Sequence, residues 1–338
     1  MVRFVLGMWA LIAVACAPMR EATKPEVSSE GTRLAMIKEG VTCSDVRFSP
    51  DGKAVVYSAR EEVLLGTWVV LGEVRSERYS FASAPVFSPD GKIVAYGAYT
   101  VMDWGLLVVG EKTIEPGFGT VTNPAFSPDG KVVAYSAEKD GKWFVVVGED
   151  QGEPFDYVSA PVFSPDGKVV AYGAKKDGKW FVVVGEKKNP TDFDAVHDVA
   201  FSPDGKVVAY CAEMKDKGFV VVGDDWGEPY DYARDPVFSP DGKVVAYKAR
   251  MKEGKWSVVV GEKRGELFDE VSAPVFSPDG KTVAYGAKNG EKGFLVVGEK
   301  KGEVCDEVWQ PVFSPDGKKV SYGARKGLEF WWKVMDVK

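Results

Sequence analysis

The 338-residue chain has a single histidine, His197, and four cysteines, Cys16, Cys43, Cys211 and Cys305. One imidazole excludes the multi-histidine metal centres, and no CxxC or HExxH spacing is present to replace them. There is likewise no GxSxG nucleophile elbow and no phosphate-cradling GxxxxGK[ST] loop. A non-catalytic protein with no cofactor and no metal is therefore expected. Positive charge is in the minority, with 43 Lys and Arg against 50 Asp and Glu and a formal net charge of −7. A surface of that sign, without a basic stripe, repels nucleic acid phosphates. The apolar run Phe4 to Val14 is too short for a spanning helix, which needs roughly 20 residues.

That run belongs to a leader. "MVRFVLGMWALIAVAC" has one positive residue, Arg3, then an apolar stretch, then small residues at Ala13 and Ala15, which is the layout of a secretion signal. Its "AVAC" ending resembles the lipobox of bacterial lipoproteins, with Ala13 where leucine is the commonest residue. The resemblance implies cleavage after residue 15 and lipid modification of Cys16, holding an extracytoplasmic protein on a membrane. A simple cleaved signal is the alternative. Residues 16–32 are polar, contain two prolines and read as a flexible tether.

The rest of the chain repeats itself. The core "FSPDGK" begins at Phe48, Phe87, Phe126, Phe163, Phe201, Phe238, Phe276 and Phe313, at intervals of 37 to 39 residues. Such regular spacing leaves no room for an inserted domain, so residues 33–338 form one array. In "PVFSPDGKVVAYGA" the proline suits the second position of a type I turn and the glycine a left-handed position. A hairpin is expected there, followed by a third strand, "KWFVVVGE", and a weaker fourth, such as "EPFDYV". Val169, Val170, Ala171 and Tyr172 are apolar in succession, whereas a sheet wet on one face alternates. Both faces need covering, and the neighbouring repeat provides the cover.

Four-stranded sheets packed face to face around an axis make an all-β propeller. "FSPDGKVVAY" resembles the WD40-like PD40 repeats of TolB-type propellers from bacterial envelope proteins, and the similarity runs from Gly40 to the end. The Gly-His and Trp-Asp dipeptides of true WD40 repeats are absent. After the last "FSPDGK" the chain supplies two more strands and stops, while "TRLAMIKEG" ahead of the first repeat has no partner. An eight-bladed ring closed by that N-terminal strand is expected. An open solenoid, exposing Trp331 and Trp332, is the alternative.

Within a constant framework, the variable positions carry the functional signal. Propeller geometry puts the segment before each first strand near the mouth of the central channel. Three repeats have a Ser-Ala pair there, at Ser83, Ser159 and Ser272, and the others diverge. Asp45, Asn123, His197, Asp198, Arg234, Asp235, Trp309 and Gln310 form a candidate binding ring suited to a polar ligand or a peptide terminus. Drift in an exposed loop, with Arg–Asp pairs worth about 0–1 kcal/mol, would leave the same pattern. In the loop after the second strand of repeat 2, Tyr99, Met102 and Trp104 replace lysine and aspartate, as a partner-docking patch or as a loop folded onto its own blade. Asp156, Asp194, Asp231, Asp269 and Asp306 recur at one position and are expected to cap backbone N–H groups. Cys305 falls in the column of Phe155, Phe193, Tyr230 and Phe268 and is expected to be a buried small hydrophobe.

These features suggest a monomeric interaction scaffold, lipid-anchored in a bacterial envelope, that binds a protein or peptide. The second reading is a small-molecule or glycan site at the channel mouth, with hydrolase or lyase activity in some such folds. The resemblance carries no partner with it, because the N-terminal domain of TolB has no counterpart here.

Overall fold

Each repeat closes its first hairpin through the Ser-Pro-Asp-Gly turn. In the fourth copy Ser164 Oγ donates to Asp166 Oδ1 at 2.7 Å and accepts from the Val169 N–H at 3.0 Å. Asp166 Oδ1 also accepts from the Lys168 N–H at 3.1 Å, and Gly167 takes φ = 72°, which glycine adopts without steric cost. The serine–aspartate bond recurs in every copy. These bonds hold the turn aspartates below the ordinary carboxylate range, the serine hydroxyl and the lysine N–H being the main causes for Asp90, Asp129, Asp166, Asp204, Asp241, Asp279 and Asp316.

A depressed native pKa means that the unfolded chain takes up protons first as pH falls. The contribution is complete above the unfolded value, about 3.9, and is lost as pH drops through the native value. Thermal melting followed by circular dichroism should therefore decline steeply below about pH 4. Asp→Asn in several turns together, which keeps the acceptor and removes the titration, should flatten that acid limb. An unchanged limb would remove the turns from the account.

The computed structural model describes residues 26–28, 31–61, 66–100, 104–251 and 254–337, so the expected signal peptide, Cys16 and Met102 lie outside the described residues. Eight antiparallel sheets follow one another along the chain. Blade 4 is representative, with Tyr157–Val158 and Val162–Phe163 on its inner edge, then Val170–Lys176, Lys179–Val184 and Lys187–Thr191. The first strands of neighbouring blades touch, as Ala195–Phe201 does with Tyr232–Phe238 and Val41–Phe48 with Glu307–Phe313, which places them at the axis. Both faces of each blade are covered as the apolar runs require. Tyr172 and Ala174 pack with Val145 and Phe155 of the preceding repeat, whereas Ala171 packs with Val196 and Val199 of the next.

The turns also meet each other. A methyl group placed on Gly91, Gly130, Gly167, Gly205, Gly242, Gly280 or Gly317 would stand 3.2 to 3.7 Å from the Cδ of the preceding turn's proline. Seven junctions share this glycine-on-proline stacking. The eighth, between blades 8 and 1, does not. There a methyl on Gly52 would overlap the indole of Trp332, and Phe48 packs against Trp309, Phe330 and Trp332 with ring centroids 6.2, 6.3 and 5.6 Å away.

Closure occurs in blade 8, whose strands Glu307–Phe313, Lys319–Lys326 and Glu329–Asp336 are completed by Gly31–Met36 pairing antiparallel with Glu329–Asp336. The ring is closed and the solenoid is excluded. Trp331 is buried and Trp332 partly so.

Two details depart from the sequence-based expectation, and a third concerns a buried lysine that sequence reasoning did not consider. Residues 26–28, placed in the tether, pair with Gly31–Arg33 as a fifth strand, because the closing strand would otherwise present an unsatisfied edge. "EPFDYV" is not a fourth strand: the short Asp150–Gln151 fills that place, Phe155 bridges back to Trp143, and Tyr157–Val158 already belongs to blade 4. Lys333 stands opposite Tyr322, where the equivalent tyrosines of other blades face valine, such as Val146 opposite Tyr135. It is 2% exposed and reaches Glu303 Oε2 at 2.8 Å, while Lys326 holds Oε1 at 2.7 Å.

Candidate functional site

The candidate ring positions do not sit on loops before the first strands. In blades 1, 3, 5, 6 and 8 the first strand is continuous, as in Ala195–Phe201 and Tyr232–Phe238, and these residues fall in its middle. A register shift follows Ser44, Thr122, His197, Arg234 and Trp309, so each of these strands carries a bulge. The bulge residue turns left-handed, with φ of 54° at Asp45, 52° at Asn123, 51° at Asp198 and 54° at Asp235. Short polar side chains tolerate that conformation best among non-glycine residues. Part of the divergence toward Asp and Asn is therefore a backbone requirement.

The Ser-Ala blades solve the same problem differently. Their inner strand breaks in two, and the serine hydroxyl accepts the N–H of a glycine on the second strand: Ser83 from Gly97, Ser159 from Gly173 and Ser272 from Gly286, at 2.8 to 2.9 Å.

Blades 5 and 6 bring the richest chemistry together. Asp198 lies between two cationic candidates, with His197 Nδ1 at 3.3 Å and Arg234 at 3.4 Å. The Asp235 N–H donates to Asp198 Oδ2 at 3.4 Å, and Asp235 itself pairs with Lys248 at 2.6 Å. Burial raises the Asp198 carboxyl, but His197 and Arg234 outweigh it and leave the group below the ordinary range. His197 Nε2 lies 3.2 Å from Glu213, and Arg234 donates to the Tyr232 hydroxyl. Cys211 pairs across the strands with His197 and is fully buried; that burial, with Asp198 and Asp235 nearby, pushes its thiol well above the ordinary value.

The other candidates separate from this cluster. Trp309 belongs to the aromatic joint between blades 8 and 1, with Phe48 and Phe330 at 6.2 and 5.9 Å, and it also lines a cavity of about 180 Å³ with Ser272, Lys288 and Glu307. Gln310 follows it in the bulge of the same strand. Asp45 and Asn123 are exposed and bond only to the side chain before them among the described residues, Asp45 accepting from Ser44 at 2.9 Å and Asn123 donating to Thr122 at 3.3 Å. Tyr99 stacks on Phe81 of its own blade at 5.4 Å, whereas Trp104 is 62% exposed. The recurrent aspartates cap as expected: Asp156, Asp194, Asp269 and Asp306 accept from backbone N–H groups at the next hairpin tip at 2.7 to 2.9 Å. Cys305 is buried beside Tyr322 in the aromatic column.

Sequence reasoning missed the rim row just outside the candidate positions. Tyr157 stands between Trp143 and Trp180, at 6.2 and 5.6 Å, and is 44% exposed. Tyr232 meets Trp256 edge-on at 6.3 Å, with the Arg234 and Arg250 guanidinium groups 4.7 and 5.5 Å from its ring. Antiparallel pairing puts the start of each first strand, the end of the second and the start of the third on one side of the ring. These aromatics share that side with Trp104.

No protein-family profile and no curated protein matches the sequence. Solved structures do match in fold. The Dos1 propeller aligns over 94% of this chain and 94% of its own, with a TM-score of 0.52 and 11% identity. TolB from Acinetobacter baumannii aligns over 79% of this chain and 81% of its own, with a TM-score of 0.40 and 18% identity.

Proposed function

We propose that the protein is a non-catalytic scaffold that holds a protein or peptide partner against the hairpin-tip side of the ring, at the bacterial envelope and anchored through Cys16. The observation that carries this reading is the exposed Tyr157 supported by half-buried Trp143 and buried Trp180, a row continued by Tyr232, Trp256, Arg234 and Arg250 on blade 6. Tyrosine, tryptophan and arginine dominate interface energetics because each combines large apolar area with a directed polar group. The arginines favour a partner segment that is acidic or ends in a carboxylate.

A photocrosslinking residue at position 157 should give a discrete adduct in cells, and one at Lys187, on the outer strand of the same blade, should give none. Tyr157→Ser with Arg250→Ala should lower capture at least tenfold without changing the melting temperature. Equal adducts from both positions, or none from either, would reject the reading. Anchoring is tested separately, since Cys16→Ser should release the protein from the membrane fraction.

A small-molecule site away from the channel mouth has one feature in its favour, a cavity of about 630 Å³ on blade 6 where Arg250 and the outer-strand Arg264 flank Tyr230, Met251 and Leu267. That volume falls in the range of ligand pockets, about 300–1,000 Å³. It suits an anionic ligand with an apolar body.

A further inference from the structure

The only histidine in the chain and one of its four cysteines are cross-strand partners on blade 5. Blade 3 fills the same pair with Thr122 and Ser136, and blade 1 with Ser44 and Ser58. Beside them, the left-handed bulge at Asp198 brings in a carboxylate, and one donor atom each from His197, Asp198 and Cys211 lies within 4.8 Å of the others. Two further observations bear on this cluster. His197 Nε2 sits 3.2 Å from the Glu213 carboxylate, the arrangement by which an outer carboxylate fixes the tautomer and aim of a metal-binding imidazole. His197 Nδ1 is a buried atom that completes no hydrogen bond and faces the Asp198 carboxylate at 3.3 Å, so it is aimed into the cluster. A buried polar atom left unpaired costs stability that a bound cation would recover.

We propose that His197 Nδ1, the Asp198 carboxylate and the Cys211 thiolate bind a thiophilic divalent cation of the Zn²⁺ class, with Glu213 as the outer-shell orienting group. Mixed nitrogen, sulfur and oxygen donors select zinc over calcium or magnesium, and three protein ligands leave one position for water or an anion. Metal–ligand bonds of about 2.0–2.3 Å bring tetrahedral donors to roughly 3.5 Å from one another, a side-chain adjustment of about 1 Å. On binding, the Cys211 thiol gives its proton to solvent. Arg234 yields its contact with Asp198 and keeps its bond to Tyr232. The site is independent of the partner reading above.

The test uses the full chain with Cys16→Ser, so that a terminal thiol cannot contribute, and Co²⁺ as the spectroscopic probe. One Co²⁺ per chain should bind with a sulfur-to-cobalt charge-transfer band that Zn²⁺ abolishes, and Zn²⁺ should raise the melting temperature. His197→Thr with Cys211→Ser recreates the Thr122–Ser136 pair of blade 3, so this variant should melt like the parent without metal while its affinity falls at least 100-fold. Asp198→Asn, which keeps the left-handed bulge, should weaken binding at least tenfold. No sulfur-to-cobalt band in the parent would overturn the proposal, and so would the same band in the double variant, because the metal would then sit on Cys43, Cys305 or elsewhere.

Discussion

Removing residues 1–36 should abolish cooperative unfolding, while removing only residues 1–30 should leave it nearly intact. The difference lies in what Gly31–Met36 covers. Leu34 and Ala35 are 6% and 3% exposed, and they sit in one apolar cluster with Ile37, Phe48, Tyr57 and Phe330, the last fully buried. Uncovering a side chain of the size of leucine or phenylalanine costs roughly 1.5–3 kcal/mol, so losing Leu34 and exposing Phe330 and Trp331 together amount to about 5 kcal/mol or more. That approaches the whole stability of an ordinary domain, about 5–15 kcal/mol. The edge of Glu329–Asp336 would be left unpaired as well, inviting association with a second chain. Differential scanning calorimetry and size-exclusion chromatography check this. A shortened protein that melts within a few degrees of the parent as a monomer would show that the ring holds without its closing strand.

The second large effect concerns the Ser-Ala blades. Alanine at Gly173 would place its Cβ 2.6 Å from the carbonyl oxygen of Val196 on the next blade, and alanine at Gly286 would meet the Val308 carbonyl at 2.5 Å. At Gly97 the overlap with the Val121 carbonyl is greater still. Real Cβ atoms do not approach backbone that closely, and the obstacle here is a strand, not a movable side chain. Each substitution should cost about 3 kcal/mol through forced separation of two blades, a drop of roughly 5–10 °C in melting temperature. Gly141→Ala is the control: its φ is 73° and nothing lies within 4 Å of the added methyl, so only the backbone penalty of about 1–2 kcal/mol applies. Gly173 is not left-handed and carries no such penalty, so a loss at Gly173 no larger than that at Gly141 would show that the blades yield to the methyl and would remove blade contact from the explanation.

The fold was legible because each structural requirement appears eight times over. Ser-Pro-Asp-Gly announces its turn, consecutive apolar residues such as Val169 to Tyr172 announce two covered faces, and the apolar "TRLAMIKEG", which lies outside the repeats, announces a closing strand. The candidate site was only half legible. Asp45, Asn123, Asp198 and Asp235 looked like ligand groups, yet their left-handed backbone accounts for the residue type before any ligand is considered. Trp309 was read as an aromatic anchor of the binding ring; it also packs in the joint with Phe48, a contact between blades 8 and 1 that no local pattern reveals. His197 was weighed without Cys211, although the signal was available: the same fourteen-residue offset joins Ser83 to Gly97, Ser159 to Gly173 and His197 to Cys211. Lys333 breaks a column of valines and was passed over because its partner, Glu303, lies thirty residues away.

Identical parts can be assembled in the wrong order. A nascent chain of near-copies could dock one blade onto the wrong neighbour, or onto a sister chain, with little loss at any glycine-on-proline junction, since those seven faces are nearly interchangeable. The joint that pairs Gly52 and Phe48 with Trp309, Phe330 and Trp332 cannot be mimicked by another pair of blades. It works as a key: a ring missing one unit, or built from two chains out of step, has no seat for those indoles, and the mismatch penalises the error.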